Sequence, residues 1–464
     1  LSALTIPRKR PEEVGIHPSS IKRYMDSLER QEIALHSLLV MRHGYLVYEG
    51  YGYPYTRETN HRMYSISKSF TSLAIGILAS EGRISLDDHI VDYFRDKCPE
   101  TIPEYLAHTT IRHMLMMSAC HRDTTYRMVN DDDYTRTFFT VEPDHEPGTV
   151  FLYDTSASQT LGALVERLTG MEILDFLRTR FLNEIGFSKG AWAIKDPSGV
   201  SLGGSGFMCT PMDVLRVMVA ITDPSFKYHD YVVEATSAQI SNALAMVDTL
   251  SALRHGYGYY FWRGERNSFY MYGMGGQLAI HLPNEDMIVI TTGWANEISG
   301  HMEPFIDGIM EMAASAVDHA IEDSGESLST ELDSTPYLRS EPIPERRIKG
   351  TFCFDENVTG IEEIEVLDTT IRVRAGGQNG VFDYQLNSTT FTHYPFLPEL
   401  GCSLSSFYDR GVLCLYIQTT GEENGSILLN LSKKDDMLTV LSKVVIARKQ
   451  PVLSGVVTGK RVRK

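Results

Sequence analysis

Ser65-Ile66-Ser67-Lys68 places a hydroxyl and an amine three residues apart. On a helix that spacing shares one face and brings the two side chains within hydrogen-bonding reach. A serine hydroxyl is a weak nucleophile that needs a base beside it. A lysine serves as that base only where burial and neighbouring cations lower its pKa toward neutrality. The flanking residues meet the burial condition: Met63 and Tyr64 precede the pair, and Phe70, Leu73, Ala74, Ile77 and Leu78 follow it. The spacing by itself is a weak signal. Ser19 and Lys22 repeat it on a charged amphipathic stretch beside Arg23 and Asp26, where a solvated chance match is the plain reading. For Ser65 the competing reading is a helix N-cap serine followed by an exposed lysine.

Two later segments give the pair a context. The first is Glu146-Pro147-Gly148-Thr149-Val150-Phe151-Leu152-Tyr153-Asp154-Thr155, followed by a helical pattern over 161–170. The second is Gly273-Met274-Gly275-Gly276-Gln277-Leu278-Ala279-Ile280, followed by a turn at Pro283. A Ser-x-x-Lys helix, a Pro-Gly-Thr…Tyr loop and a Gly-rich strand, in that order, resemble the serine β-lactamase and penicillin-binding-protein superfamily. The chain looks most like the class C-like branch with type VIII carboxylesterases, 6-aminohexanoate-oligomer hydrolases and D-aminopeptidases. Thr110-Ile111-Arg112-His113-Met114-Leu115, Gly203-Gly204-Ser205-Gly206-Phe207 and His255-Gly256-Tyr257-Gly258-Tyr259 extend the resemblance over about residues 10–320.

The resemblance implies that Ser65 is acylated, that Lys68 is its partner, and that Tyr153 shuttles a proton between the serine and the leaving group. A tyrosine near two cations can be partly a phenolate and act as a general base. The implied oxyanion hole is the backbone N–H of Ser65 with that of Gln277, and Gly275 and Gly276 leave room for substrate along the strand. Two positions depart from the family pattern. Thr155 stands where the Tyr-x-Asn element has its amide, which weakens the expected contact to a substrate amide. Met274 with Gly275 and Gly276 replaces the Lys-Thr-Gly cation, and a thioether does not bind a carboxylate. An ester or amide with an uncharged acyl group therefore fits better than an anionic substrate. The alternatives are a penicillin-recognising D-amino-acid peptidase or weak β-lactamase, and a catalytically silent binding module with the same fold.

The elements that must position these residues follow from pattern. An amphipathic helix is expected over 17–31, a hairpin over 37–53, and a helix from Ser65 to Ser80 with Gly82 as its stop. Short helices separated by polar loops fill 85–200, a second hairpin pairs Phe269–Leu282 with Met287–Trp294, and a helix covers 302–321. The fold class is α+β: an antiparallel sheet flanked by helices, with the 85–200 helical subdomain inserted and the active site in the cleft. This first domain spans 1–322; residues 323–347, rich in Ser and Pro, read as a linker. Residues 348–464 alternate in eight short strands, which argues for a small all-β barrel or sandwich.

Composition bounds the partners. The 464 residues carry 43 Lys+Arg against 60 Asp+Glu, a net charge of −17. That surplus repels phosphate backbones and anionic lipid, so no nucleic acid and no membrane is expected, and a small-molecule ester, amide or peptide is. The basic end Lys460-Arg461-Val462-Arg463-Lys464 reads as a solvated tail. No apolar run has the length of a membrane span, and the N-terminus lacks a secretion-signal layout. The six cysteines show no zinc-like clustering and read as buried thiols of a cytoplasmic protein. The 15 histidines, His113, His121 and His145 among them, show no metal-ligand spacing. No metal and no cofactor is expected. Arg112 and Asp213 read as ion-pair or capping residues.

Overall fold

The computed structural model describes residues 5–243, 251–295, 303–335, 338, 342–445 and 454–462. The chain divides into two units. One holds Leu1–Leu28, Leu35–Gly293 and Met302–Leu332; the other holds Glu29–Ala34, Trp294–His301 and Asp333–Lys464. The described residues of 323–347 form no helix or strand, and Pro336 and Ser340 of that expected linker lie outside the described residues.

In the first unit six strands stand in the order Tyr45–Tyr51, Ala34–Arg42, Met287–Trp294, Gln277–Leu282, Phe269–Gly273, Trp262–Arg263. The two long inner strands, Ala34–Arg42 and Met287–Trp294, are buried at every position. Their apolar residues fall on both faces, and the polar ones among them, His36, Ser37, Arg42, Thr291 and Thr292, are buried too. Phe269–Leu282, expected as one strand, is two: the chain turns at Met274-Gly275-Gly276 and pairs Tyr272 with Leu278 and Gly273 with Gln277. Gly275 and Gly276, at φ 86° and 102°, supply the left-handed backbone that the turn requires. The residues on either side are equally apolar, so hydrophobic pattern alone does not mark the break.

The Ile66–Ser80 helix is predominantly apolar, and every residue from Ile66 to Leu78 is buried, its polar side chains included. Such a helix belongs inside a core, and it packs between the Thr155–Thr169 helix and the Phe269–Gly273 strand. The expected helical region holds Ile90–Tyr93, Glu104–His108, Ile111–Leu115, Thr125–Met128, Tyr134–Thr140, Thr155–Thr169 and Ile173–Leu177. The helix expected over 302–321 spans Glu303–Ala314; Met302 lies outside the described residues.

The second unit is all β. Ten strands follow one another in a single sheet that curls into a nearly closed barrel around one core, which includes Phe352, Ile364, Phe382, Leu404, Leu415, Leu429 and Val440. Three of these strands were not expected from sequence: Ser388–Tyr394, Leu397–Asp409 and Gly455–Arg461. The first two are rich in Ser and Thr or interrupted by Pro398 and Gly401, which hides their alternation. Two expected strands, 437–441 and 444–447, form one strand, Met437–Val445, with 446–447 outside the described residues. Lys460 and Arg461, expected in a solvated tail, pair with Cys353 and Phe352; Arg463 and Lys464 lie outside the described residues.

Candidate active site

Ser65 occupies the N-cap of the Ile66–Ser80 helix, yet its side chain makes no capping bond. The hydroxyl is therefore not consumed in the role that competes with catalysis. Tyr64, immediately before it, is held at φ 45°, an uncommon conformation for a bulky residue. Between His61 and Leu78 all residues are buried except Ser65, so the serine is the point where this segment reaches the surface. Among the described residues its backbone N–H meets no acceptor.

Lys68, one turn further along, is 1% exposed. Its Nζ donates to Ser65 Oγ at 3.0 Å and to the carbonyl of Gly204 at 2.7 Å. Burial, reinforced by the cation of Arg127 and opposed by Asp154, lowers its pKa from 10.5 to about 7. The amine is thus poised between its two protonation states in neutral water. The Gly204 carbonyl arrives through a small sheet: His61–Arg62 pairs with Phe207–Cys209, and Met63 N–H bonds Phe207 O at 2.8 Å. A Cβ on Gly204 would stand 2.4 Å from Ser158 Oγ and 2.7 Å from Thr155 Cγ2, so only glycine brings that carbonyl so close.

Tyr153 hydrogen-bonds Ser65, its ring stacks on Trp262 at 5.5 Å, and Lys68 Nζ lies 4.8 Å from its centroid. Burial pushes its phenol well above the ordinary range, outweighing the Ser65 bond and the charge of Arg127. Burial thus opposes the partly ionised tyrosine anticipated from sequence and favours the neutral phenol.

Asp154, which sequence reasoning passed over, is 1% exposed. It caps the Thr155–Thr169 helix through Ser156 N at 2.7 Å and Ala157 N at 3.2 Å. Burial lifts its pKa to about 6 against those bonds and the charge of Lys68. An Asp followed by Thr-Ser-Ala at a helix start is a readable capping signal; its nearness to Lys68 is not readable. Arg127 and the Gly204 carbonyl were missed for the same reason.

Gln277 and Met274 meet at the hairpin turn. The Gln277 side chain is fully buried, donates to Met274 O at 2.6 Å and Gly293 O at 3.1 Å, and accepts from Gly293 N at 2.9 Å. Gly273, paired with Gln277, lies so close to the segment before the serine that a Cβ on it would stand 2.3 Å from Met63 O. At Gly276 the space a Cβ would occupy is filled by the Phe305 ring at 2.4 Å. Its glycine thus serves packing and turn geometry, not the open lane for substrate that its sequence suggested. Thr155 is buried, with its methyl group against Gly204.

Elsewhere, Arg112 pairs with Asp87 at 2.7 Å and Glu234 at 2.9 Å, and Asp213 accepts Thr210 N–H at 3.0 Å in a capping box. Among the described residues no group of three or more His, Cys, Asp or Glu could hold a metal ion, and no helix is long and apolar enough to cross a membrane.

A family model described as Beta-lactamase matches residues 20–292. The chain belongs to the beta-lactamase family. Members of this family are hydrolases, and this family member is read as an enzyme. The 6-aminohexanoate-dimer hydrolase of Paenarthrobacter ureafaciens is 23% identical over 229 residues, 45% of this chain and 57% of that protein. Escherichia coli beta-lactamase is 26% identical over 162 residues, 33% of this chain and 42% of that protein. The chain thus spans about half the length of the curated relatives it matches. Among solved structures, the SurE complex with D-Leu aligns with 96% of this chain and 99% of its own at 16% identity and a TM-score of 0.50, a likeness of fold.

Proposed function

We propose that this family member is a serine hydrolase that forms an acyl-enzyme on Ser65 and cleaves an ester or amide bond of a small substrate with an uncharged acyl group. The observation that carries this reading is the buried Lys68 amine, 3.0 Å from an uncapped serine hydroxyl. In the first step Ser65 Oγ bonds to the carbonyl carbon while its proton passes to neutral Lys68. The oxyanion is held by the N–H groups of Ser65 and Gln277. As the tetrahedral intermediate collapses, Tyr153 donates its proton to the leaving group and recovers one from Lys68. Water then repeats the sequence and releases the acid.

The test is a fluorophosphonate label, a p-nitrophenyl ester series and a chromogenic cephalosporin, each run on the protein and on Ser65→Ala. Ester turnover and a label that both vanish in Ser65→Ala support the reading. Cephalosporin turnover in place of ester turnover redirects it to a penicillin-recognising enzyme, and absence of any label refutes it.

A further inference from the structure

We propose that the first unit holds a second binding site, separate from the Ser65 site, that takes a small organic ammonium ion on the carboxylate of Glu12.

The site is a cavity of about 490 Å³ at the outer edge of the sheet. The Tyr45–Tyr51 strand ends the six-stranded sheet, three strands away from the one that begins at Gln277. Two other segments cover the ends of its free edge. The N-terminal segment bonds one end, with Leu46 N–H on Pro7 O at 2.9 Å and Lys9 N–H on Leu46 O at 3.3 Å. The chain returning after the Glu303–Ala314 helix bonds the other, with Tyr51 N–H on Thr330 O at 3.0 Å and Leu332 N–H on Tyr51 O at 3.1 Å. Between them lies the hollow, walled in part by Pro11, Pro18, Leu46, Val47 and Tyr48. Tyr48 is locked in that wall, because its hydroxyl donates to Ser329 O at 2.7 Å. The volume falls in the range of small-molecule sites.

Glu12 gives the hollow its chemistry. Its main chain is fixed, its carbonyl accepting Gly15 N–H at 3.2 Å and Ile321 N–H at 2.9 Å. The residue lines the cavity and is 4% exposed, yet among the described residues its carboxylate has no hydrogen bond and no ion pair. The basic side chains of the cavity are engaged elsewhere. Arg8 is held by Glu49, and Arg10, which feels the charge of Glu12, is held by Asp323. Lys9 Nζ sits 4.0 Å from the centre of the Tyr45 ring. A carboxylate removed from water without a partner is costly, and a cation that enters beside it offsets that cost. Apolar walls and an aromatic ring around one acid suit an ammonium on a short hydrocarbon body. A hard metal ion asks for several oxygen ligands at once, and among the described residues no group of three His, Cys, Asp or Glu could supply them.

Hexylammonium chloride, titrated by calorimetry into wild type, Glu12→Gln and Glu12→Asp in amine-free phosphate buffer, tests this. Hexanol and sodium hexanoate, with the same hydrocarbon chain, are the controls. The proposal expects saturable binding of hexylammonium at one equivalent and no binding of either control. Affinity should fall tenfold or more in Glu12→Gln and recover part of the way in Glu12→Asp. Glu12→Gln should also keep or raise the Tm of the free protein, since it removes a charge that nothing compensates. Equal affinity in Glu12→Gln, or equal binding of hexanol or hexanoate, overturns the proposal. So does a lowered Tm of free Glu12→Gln, which would show that the carboxylate serves the fold, or absence of binding at about 10 mM hexylammonium.

Discussion

Replacing Lys68 by Met separates chemistry from stability, and the two should move in opposite directions. The shift from 10.5 to about 7 corresponds to about 5 kcal/mol of preference for the neutral amine in the folded protein. At pH 7 about half the molecules then hold a free amine, against roughly three in ten thousand for an ordinary lysine. Loss of the base should slow fluorophosphonate labelling of Ser65 by about a thousandfold. Wild-type labelling should fall tenfold per pH unit below an apparent pKa near 7, a property of the Lys68–Asp154 pair together. The stability sign follows from proton counting. Between about pH 7 and 10.5 the folded chain binds fewer protons at this position than the unfolded chain, so stability rises with pH through that window and is reduced below it. Methionine fills a similar volume and removes that penalty, but it leaves the Gly204 carbonyl without its donor, which costs about 1–3 kcal/mol. The net expectation at pH 7 is a gain of roughly 2–4 kcal/mol, read as a higher Tm by calorimetry. An acid limb above pH 9, or labelling retained by a Lys68→Met protein of lowered Tm, would refute the reasoning.

Three other outcomes are expected. Tyr153→Phe keeps the ring on Trp262 but removes the donor, so ester turnover should drop about 10²–10³-fold with little change in Tm. Gly276→Ala puts a methyl group into the Phe305 ring at a backbone φ of 102° and should cost about 3 kcal/mol, seen as a clear fall in Tm. His36 and His61 are buried, 2.9 Å apart, and burial lowers both, His61 to about 4. Unfolded histidines bind protons that the folded ones refuse, so stability should fall as pH drops from about 6.5 toward 4. His61→Gln should flatten that dependence by up to about 1.4 kcal/mol per pH unit in denaturant titrations.

What could be read from the sequence was local. Ser65 and Lys68 lie one helical turn apart, and the apolar residues after them announce a buried helix, so their meeting needs no knowledge of the rest of the chain. The later part of the Thr155–Thr169 helix, expected over 161–170, and the Met287–Trp294 strand were legible for the same reason. The single strand expected over Phe269–Leu282 failed because its residues are apolar on both sides of the turn, and only two glycines mark the reversal. In the second unit, Leu397–Asp409 carries serines at buried positions, so a polar–apolar alternation never forms although the residues lie in a ladder. Asp154, Arg127 and the Gly204 carbonyl were out of reach because each acts on Lys68 from 59 or more residues away in the chain, two through charge and one through a hydrogen bond, in a tertiary arrangement that no spacing rule encodes.

The carboxamide of Gln277 has a consequence for how ready the site is before substrate arrives. With its oxygen on Gly293 N–H and its nitrogen on Gly293 O, it copies the pattern of a peptide unit and adds a side-chain rung where the neighbouring ladder ends. The hairpin tip is then clamped by two bonds to an interior strand and a third to Met274 O. In the proposed mechanism, the Gln277 N–H held at such a tip has no loop to order before charge develops beside it. Glutamate at this position would keep the shape and put two acceptors where one donor is needed, so the tip would loosen although hardly an atom had changed in number.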